Sequence, residues 1–239
     1  MIARGGRTIR GAAVGILMLE TRFPRLPGDV GHAGTWSFPV LYRVVRGASP
    51  ERVVRGGAAG LEDAFAEAAR DLVRDGADGI TTSCGFLSLH QAALASAAGV
   101  PVLASSLAQV ALVERLLPPG RRAGILTISR SALTPEHLAA AGVPPDAPIG
   151  STEGGRGFTE AILGDRDEID VDMARADHVD AARALKAERP ELGAIVLECT
   201  NMTPYAADMA AATGLPVHTM ADLVAWFHAS LAPRRFAPD

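Results

Sequence analysis

The sequence repeats itself at an offset of 115 residues, and its only two cysteines, Cys84 and Cys199, fall on that offset. Each closes an apolar run, Gly79-Ile80-Thr81-Thr82-Ser83-Cys84 in the first half and Ala194-Ile195-Val196-Leu197-Glu198-Cys199 in the second. Fifteen residues after each cysteine come Gly, an apolar residue, Pro and Val: Gly99-Val100-Pro101-Val102 and Gly214-Leu215-Pro216-Val217. A doubled unit constrains the fold strongly, because each half must place its cysteine at the same point of the same frame. Two thiols at matched strand ends of two pseudo-symmetric lobes can face one cleft. That suits removal of a proton from one side of a carbon and its return to the other.

Short apolar runs alternate with helical stretches, the pattern of βα units on a largely parallel sheet. Strands are expected at residues 12–19, 40–45, 79–83, 102–104, 123–128, 194–197 and 217–218. Helices are expected at 61–74, 89–98, 107–116, 135–141, 167–189, 204–212 and 221–231. The expected fold is α/β: two pseudo-symmetric lobes, each a mostly parallel sheet flanked by helices, with the active site in the cleft between them. Residues 1–105 with 219–239 form the first lobe and 106–218 the second. Ser88 and Thr203, also 115 apart, are expected to cap the helices that follow the cysteines, with Pro204 at the first helical position. Each cysteine then sits between a strand's carboxyl end and a helix's amino end, where open α/β sheets bind ligands. The helix terminus is expected to lower the thiol pKa and to attract a substrate carboxylate.

Composition narrows the function classes. A 239-residue chain that is 48% hydrophobic can bury a large core, as one domain or two compact lobes. Its net charge of −4 is scattered, without a basic run or aromatic stacking surface, which points to a small-molecule substrate and away from nucleic acid. No stretch is long and apolar enough for a membrane span, and the apolar run from Gly11 to Leu19 ends without a cleavage pattern, so it reads as a first strand. The expectation is a soluble, cytoplasmic protein with both cysteines kept as thiols and no disulfide between them. Homo-oligomerisation stays open. Lys186 is the only lysine and lies in an alanine-rich helical segment, which argues against a pyridoxal phosphate Schiff base. The six histidines lack metal-ligand spacing, and the Gly-rich segments at 56–60 and 154–157 lack the context of a nucleotide-binding loop. No cofactor and no metal are expected.

The connection from Met18 to Pro39 is too long for an ordinary βα link and is expected to cover the site. Arg22 or Arg25 within it has the geometry to clamp a carboxylate, and His32 is a weaker candidate. Ser83, Gly85, Phe86, Thr200 and Asn201 flank the cysteines; Ser105, Ser106 and His218 stand at strand ends that line the cleft on this reading.

The runs Thr81-Thr82-Ser83-Cys84-Gly85-Phe86 and Leu197-Glu198-Cys199-Thr200-Asn201-Met202-Thr203-Pro204 make the resemblance specific. The chain resembles the aspartate/glutamate/hydantoin racemase superfamily from the Gly15 strand to the helix after Val217. The resemblance implies a cofactor-independent enzyme with Cys84 and Cys199 as catalytic residues, one in each lobe. This chain departs from the glutamate racemases at Gly85-Phe86, which replace Asn-Thr after the first cysteine. It also carries Glu198 where the family often has Gly, Asn201 where it often has His or Glu, and Leu17-Met18-Leu19-Glu20 in place of Asp-Ser-Gly. Acidic amino acids are therefore disfavoured as substrates.

The expected activity is a racemase or epimerase in which the two thiols act as an acid/base pair at a carbon next to a carbonyl or carboxylate, with a hydantoin or other amino-acid derivative as substrate. Within the superfamily the alternatives are a maleate-type cis–trans isomerase and a malonate-type decarboxylase, though two retained thiols favour racemisation or isomerisation. From another class, the chain is a bilobal ligand-binding protein without turnover.

Overall fold

Val14–Leu19 (β1) is buried along its whole length, as a strand covered on both faces must be. In the computed structural model it pairs in parallel with Val40–Val45 (β2) on one side and Gly79–Thr82 (β3) on the other. Val102–Leu103 (β4) extends the sheet beyond β3, giving the order β2-β1-β3-β4. A second parallel sheet combines Arg122–Thr127 (β5), Ile149–Ser151 (β6), Leu192–Leu197 (β7) and Val217–His218 (β8) in the order β6-β5-β7-β8. The two orders are one order, with β1 matching β5 and β3 matching β7, so the doubling in the sequence is a doubling of the fold. Among the described strands β6 alone lies outside the expected ranges, its three half-buried residues, Ile-Gly-Ser, making no apolar run, and the short helix Thr159–Leu163 was not expected either. The structure describes residues 5–234 and Phe236. The segments 1–4 and 237–239, and Arg235, assigned above to the first lobe, lie outside the described residues.

The helices are Glu62–Asp75 (α1), Gln91–Ala98 (α2), Val110–Leu116 (α3), Pro135–Ala140 (α4), Thr159–Leu163 (α5), Val171–Glu188 (α6), Ala206–Thr213 (α7) and Met220–Leu231 (α8). In α1 the buried residues Phe65, Ala68, Ala69 and Leu72 recur at helical spacing and face the sheet. Gly99 and Gly214, the glycines of the repeated Gly-x-Pro-Val, end α2 and α7 in left-handed conformation with φ of 67° and 66°, and the proline two residues on prevents either helix from continuing. Each lobe lends a helix to the other. The helix α3 follows β4 but packs on β5. The helix α8 follows β8 but lays Met220, Leu223, Val224 and Phe227 against Val14, Ile16 and Leu103 of the first sheet. A continuous core, including Leu17, Ile80 and Cys84 from one lobe and Ile125, Val196 and Cys199 from the other, joins the halves.

The cysteine turns differ from expectation in one respect. Each leads into a 3₁₀ helix, Gly85–His90 or Thr200–Tyr205, with the cysteine itself at the N-cap position. The tighter winding already uses the Leu87 N–H on the Cys84 carbonyl and the Met202 N–H on the Cys199 carbonyl. Ser88 and Thr203 therefore cap nothing. The Ser88 hydroxyl donates to the His137 carbonyl and the Thr203 hydroxyl to the Thr200 carbonyl. Among the described residues, no helix is long and apolar enough to cross a membrane.

Candidate active site

Both thiols line the same cavity. Cys84 and Cys199, each 8% exposed, meet there with Ser83, Glu198 and Asn201, and Leu19 and Ile128 reach it from the ends of the two central strands. Phe23, from the long connection after β1, and Ile162 and Leu163 of α5 complete an apolar wall with Phe86. A water-sized sphere can occupy about 20 Å³ of the cavity, room for about one water molecule.

Polar braces fix the two turns against each other. The Thr200 hydroxyl donates to the Ser83 carbonyl at 2.8 Å across the lobe boundary. The Thr82 hydroxyl donates to the Ala104 carbonyl at 2.6 Å and accepts from the Cys84 N–H at 3.3 Å. Thr200 is thus committed to the scaffold rather than open to a ligand. Gly85 is also structural: a Cβ there would collide with the Glu198 side chain and carbonyl oxygen.

The symmetry of the backbone is broken in its side chains. Ser83 and Glu198 occupy equivalent positions, one residue before each cysteine. Ser83 Oγ accepts the Leu19 N–H at 3.0 Å. Glu198 is fully buried; its Oε2 accepts from the Thr127 hydroxyl at 2.8 Å, and the Ile128 N–H also favours its anion. Its Oε1 has no hydrogen-bond partner among the described residues. Burial pushes the Glu198 carboxyl up to about 7.

The second thiol is held by a chain of hydrogen bonds. Cys199 Sγ donates to Asn201 Oδ1 at 3.4 Å, and Asn201 Nδ2 donates to Asp29 Oδ2. Asp29 Oδ1 in turn accepts from Arg25 at 2.9 Å and from the Gly31 N–H at 2.7 Å. The Phe86 N–H, and the Leu87 N–H that also reaches the Cys84 carbonyl, favour the Cys84 thiolate, as the Asn201 N–H favours that of Cys199. Helix-terminal N–H groups were expected to make both thiols acidic, but desolvation outweighs them. Burial, with the Glu198 charge adding to it, pushes Cys84 up to about 12 and Cys199 well above its usual value.

Of the residues singled out by sequence, Ser83, Cys84, Phe86, Cys199 and Asn201 line the cavity, and Gly85 and Thr200 pack directly behind it. Arg25 lies close by, but Asp29, the Thr21 hydroxyl and the Phe23 ring engage its guanidinium. Arg22 lies outside, largely exposed and paired with Asp167. Ser105 caps the 3₁₀ turn Ser106–Gln109 by accepting the Leu107 N–H, and Ser106 is bound to Gln109. His218 and His32 do not line the cavity either; His32 accepts the Gly34 N–H in its own turn. Both cysteines are free thiols. Asp29 and the apolar wall went unrecognised in the sequence, where one aspartate within a Gly/Pro-rich connection carries no signal.

No protein-family model matches the chain. A dimethylsulfoniopropionate lyase of Durusdinium sp. clade D is 30% identical over 218 residues, covering 88% of this chain and 72% of that protein. Dimethylsulfoniopropionate lyase 3 of Emiliania huxleyi is 32% identical over 217 residues, 86% of this chain but 56% of its own length. Among solved structures, a cysteine-for-glycine variant of arylmalonate decarboxylase superposes with a TM-score of 0.63 at 18% identity, covering 95% of this chain and 97% of that one. Picrophilus torridus aspartate racemase gives 0.57 at 13%, covering 95% and 96%. The fold is that of the aspartate/glutamate racemase superfamily.

Proposed function

This chain belongs to the dimethylsulfoniopropionate lyase family, and we propose that it is a cofactor-independent lyase that removes the α-proton of a carboxylate substrate and expels a sulfur leaving group from the β-carbon. The observation that carries this reading is the unlike pair Ser83 and Glu198 beside otherwise equivalent thiols. A racemase works both faces of one carbon in either direction, whereas an elimination needs one base on one face. The chain spans between about half and three-quarters of the length of the relatives named above, so the reading stands on the site this chain contains.

Cys84 is the better base. The Phe86 and Leu87 N–H groups favour its thiolate, against the Asn201 N–H alone at Cys199, whose own proton is committed to Asn201 Oδ1. Substrate charge supplies what the cavity walls lack. A sulfonium entering this apolar space is an opposite charge that favours a thiolate within a few ångströms, and the Phe86 ring in the wall suits a cation. With dimethylsulfoniopropionate, the Cys84 thiolate takes the α-proton and the C–H electron pair becomes the Cα–Cβ double bond. The β-carbon–sulfur bond breaks with its pair on sulfur. Acrylate and dimethyl sulfide leave, and the proton remains on Cys84.

Two thiols on one cavity favour a second reading, the two-base racemase in which Cys84 and Cys199 serve opposite faces. Headspace detection of dimethyl sulfide from dimethylsulfoniopropionate separates the two. The lyase reading expects release that stops in Cys84→Ala. No release, with α-hydrogen exchange from heavy water into amino-acid derivatives or hydantoins, would return the racemase.

A further inference from the structure

The strongest unused feature of the molecule is the Glu198 carboxyl. It is fully buried, its Oε1 is unpartnered among the described residues, and it shares the cavity with both sulfurs. A buried polar atom left without a partner costs free energy and persists where a ligand or a proton will satisfy it. Gly85 leaves the room that Oε1 occupies, and the first lobe has only the Ser83 hydroxyl at the matching place. The group is thus additional to the doubled frame, present on one side of the site only.

We propose that Glu198 is the proton partner of Cys84: on substrate binding the Cys84 thiol gives its proton to the Glu198 carboxylate, and the resulting acid donates Oε1–H to the substrate carboxylate. The proposal rests on the lyase reading, whose substrate is a zwitterion with a carboxylate at one end and a cation at the other. Such a substrate polarises the pair in the required direction. Its anionic end favours the protonated Glu198, and its cationic end favours the Cys84 thiolate. Both groups line the same cavity, so the proton passes from sulfur to oxygen within it.

The atoms balance. Before binding, the site holds a thiol and a carboxylate; after the transfer it holds a thiolate and an acid, with no proton gained or lost. The thiolate then takes the α-proton while Glu198 hydrogen-bonds the oxygen on which enediolate charge builds, the kind of donor that stabilises a transition state more than a ground state. After acrylate and dimethyl sulfide depart, Glu198 is an acid in an empty site. It releases its proton to water and restores the starting state. The substrate has lost one proton, and one proton has reached the solvent.

The titratable groups facing Glu198 are Cys84 on the opposite turn and Cys199 on its own, and the Glu198 charge raises the pKa of both thiols. Arg25 and Asp29 on the covering connection are paired with each other. From the end of β5 and the residue after it, it meets Thr127 and Ile128, which do not titrate. The carboxyl, raised to about 7, is therefore the group in the cavity that loses its proton first.

The test is kcat/KM for dimethylsulfoniopropionate from about pH 5 to about pH 10 in the wild type, Glu198→Gln and Glu198→Ala, with circular dichroism to establish folding. In the wild type the thiol–carboxylate and thiolate–acid forms hold the same number of protons. Its profile should rise to near pH 7 and then stay level. Glutamine keeps a donor and cannot take the thiol proton, so Glu198→Gln should lose the level region and keep rising through alkaline pH, about tenfold per unit, with the thiolate fraction. Glu198→Ala should rise likewise but lie about 100- to 1,000-fold lower, the cost of one lost donor. A glutamine variant as inactive as alanine with a flat profile would make the carboxylate itself the base, and unchanged profiles would remove Glu198 from the chemistry; either overturns the proposal.

A second arm needs no turnover. In a Cys199→Ser background, methyl methanethiosulfonate should modify Cys84 faster when Glu198→Gln is added, because the charge that raises the thiol pKa is gone. An unchanged rate overturns the pairing even if dimethyl sulfide is made. Faster modification without any dimethyl sulfide release leaves the pairing and removes the lyase reading.

Discussion

The Glu198 carboxyl fills the space that a side chain on residue 85 would need: a Cβ there would overlap both Glu198 Oε1 and the Glu198 carbonyl oxygen. The glycine after Cys84 and the glutamate before Cys199 are thus two halves of one adaptation, contributed by different lobes. Gly85→Ala should displace the carboxyl and its strand end. We expect a loss of about 1–3 kcal/mol by chemical denaturation, the range for overpacking a filled core, together with loss of turnover. Wild-type stability with full activity would show that the two positions are independent.

The two cysteines should not be equivalent under mutation. On the lyase reading Cys84→Ser removes the base and abolishes dimethyl sulfide release. Cys199→Ser keeps a hydroxyl that can still donate to Asn201 Oδ1, so it should retain measurable release with a raised KM. Equal and complete loss in both variants, measured by initial rates at saturating substrate, would show that the elimination needs both thiols and overturn the one-base assignment.

Periodicity carried most of this structure. The 115-residue offset implied two lobes, the strand order that emerged is the same in each, and the repeated glycines proved to be matching left-handed helix ends. What remained hidden depends on contacts distant in sequence. Asp29 reaches Asn201 across 172 positions, and no local pattern announces such a pairing. The acidity of the thiols was misjudged for a related reason. The helix-terminal N–H groups are legible in sequence, but the depth of burial that overrides them comes from Phe23, Ile162 and Leu163, three residues in segments without a motif. Glu198 carried a signal that sequence can register: a charge at the end of a continuous apolar run, at the position where the other half has serine.

Asp29 is the junction between the covering connection and the second thiol. It holds Arg25 and Asn201 with its two oxygens while nearly inaccessible to solvent, at 3% side-chain exposure. Asp29→Ala leaves a largely buried guanidinium unpaired, a change that costs about 3–5 kcal/mol. It also frees Asn201 to release the Cys199 thiol. Thermal unfolding should show the loss of stability, and Cys199 should become more reactive to thiol reagents than in the wild type. A variant with unchanged melting temperature and thiol reactivity would show that the chain of bonds does not position the sulfur.

Glu198 and His178 should give the stability of the protein opposite dependences on pH. His178 is fully buried, its Nδ1 bonded to the Ala174 carbonyl and its ring stacked on Tyr205, and burial lowers it from 6.5 to about 4. As pH falls from 6.5 to 4 the unfolded chain takes up a proton that the folded protein refuses, so stability declines across that window. Glu198 is raised from 4.5 to about 7. Its contribution is fully present below 4.5 and is lost as pH rises to 7, because the unfolded chain gives up its proton first and the folded protein must then bury a charge. A shift of this size corresponds to about 3 kcal/mol. Glu198→Gln should therefore raise the melting temperature at pH 8 and leave it nearly unchanged at pH 4, where the wild-type carboxyl is already neutral. His178→Phe keeps the ring contacts with Phe158 and Tyr205 and should do the reverse, resisting acid unfolding near pH 4 with little effect at pH 8. Scanning calorimetry at the two pH values decides it. A Glu198→Gln variant that gains as much at pH 4 as at pH 8 would show that the stability difference does not come from the ionisation of this carboxyl.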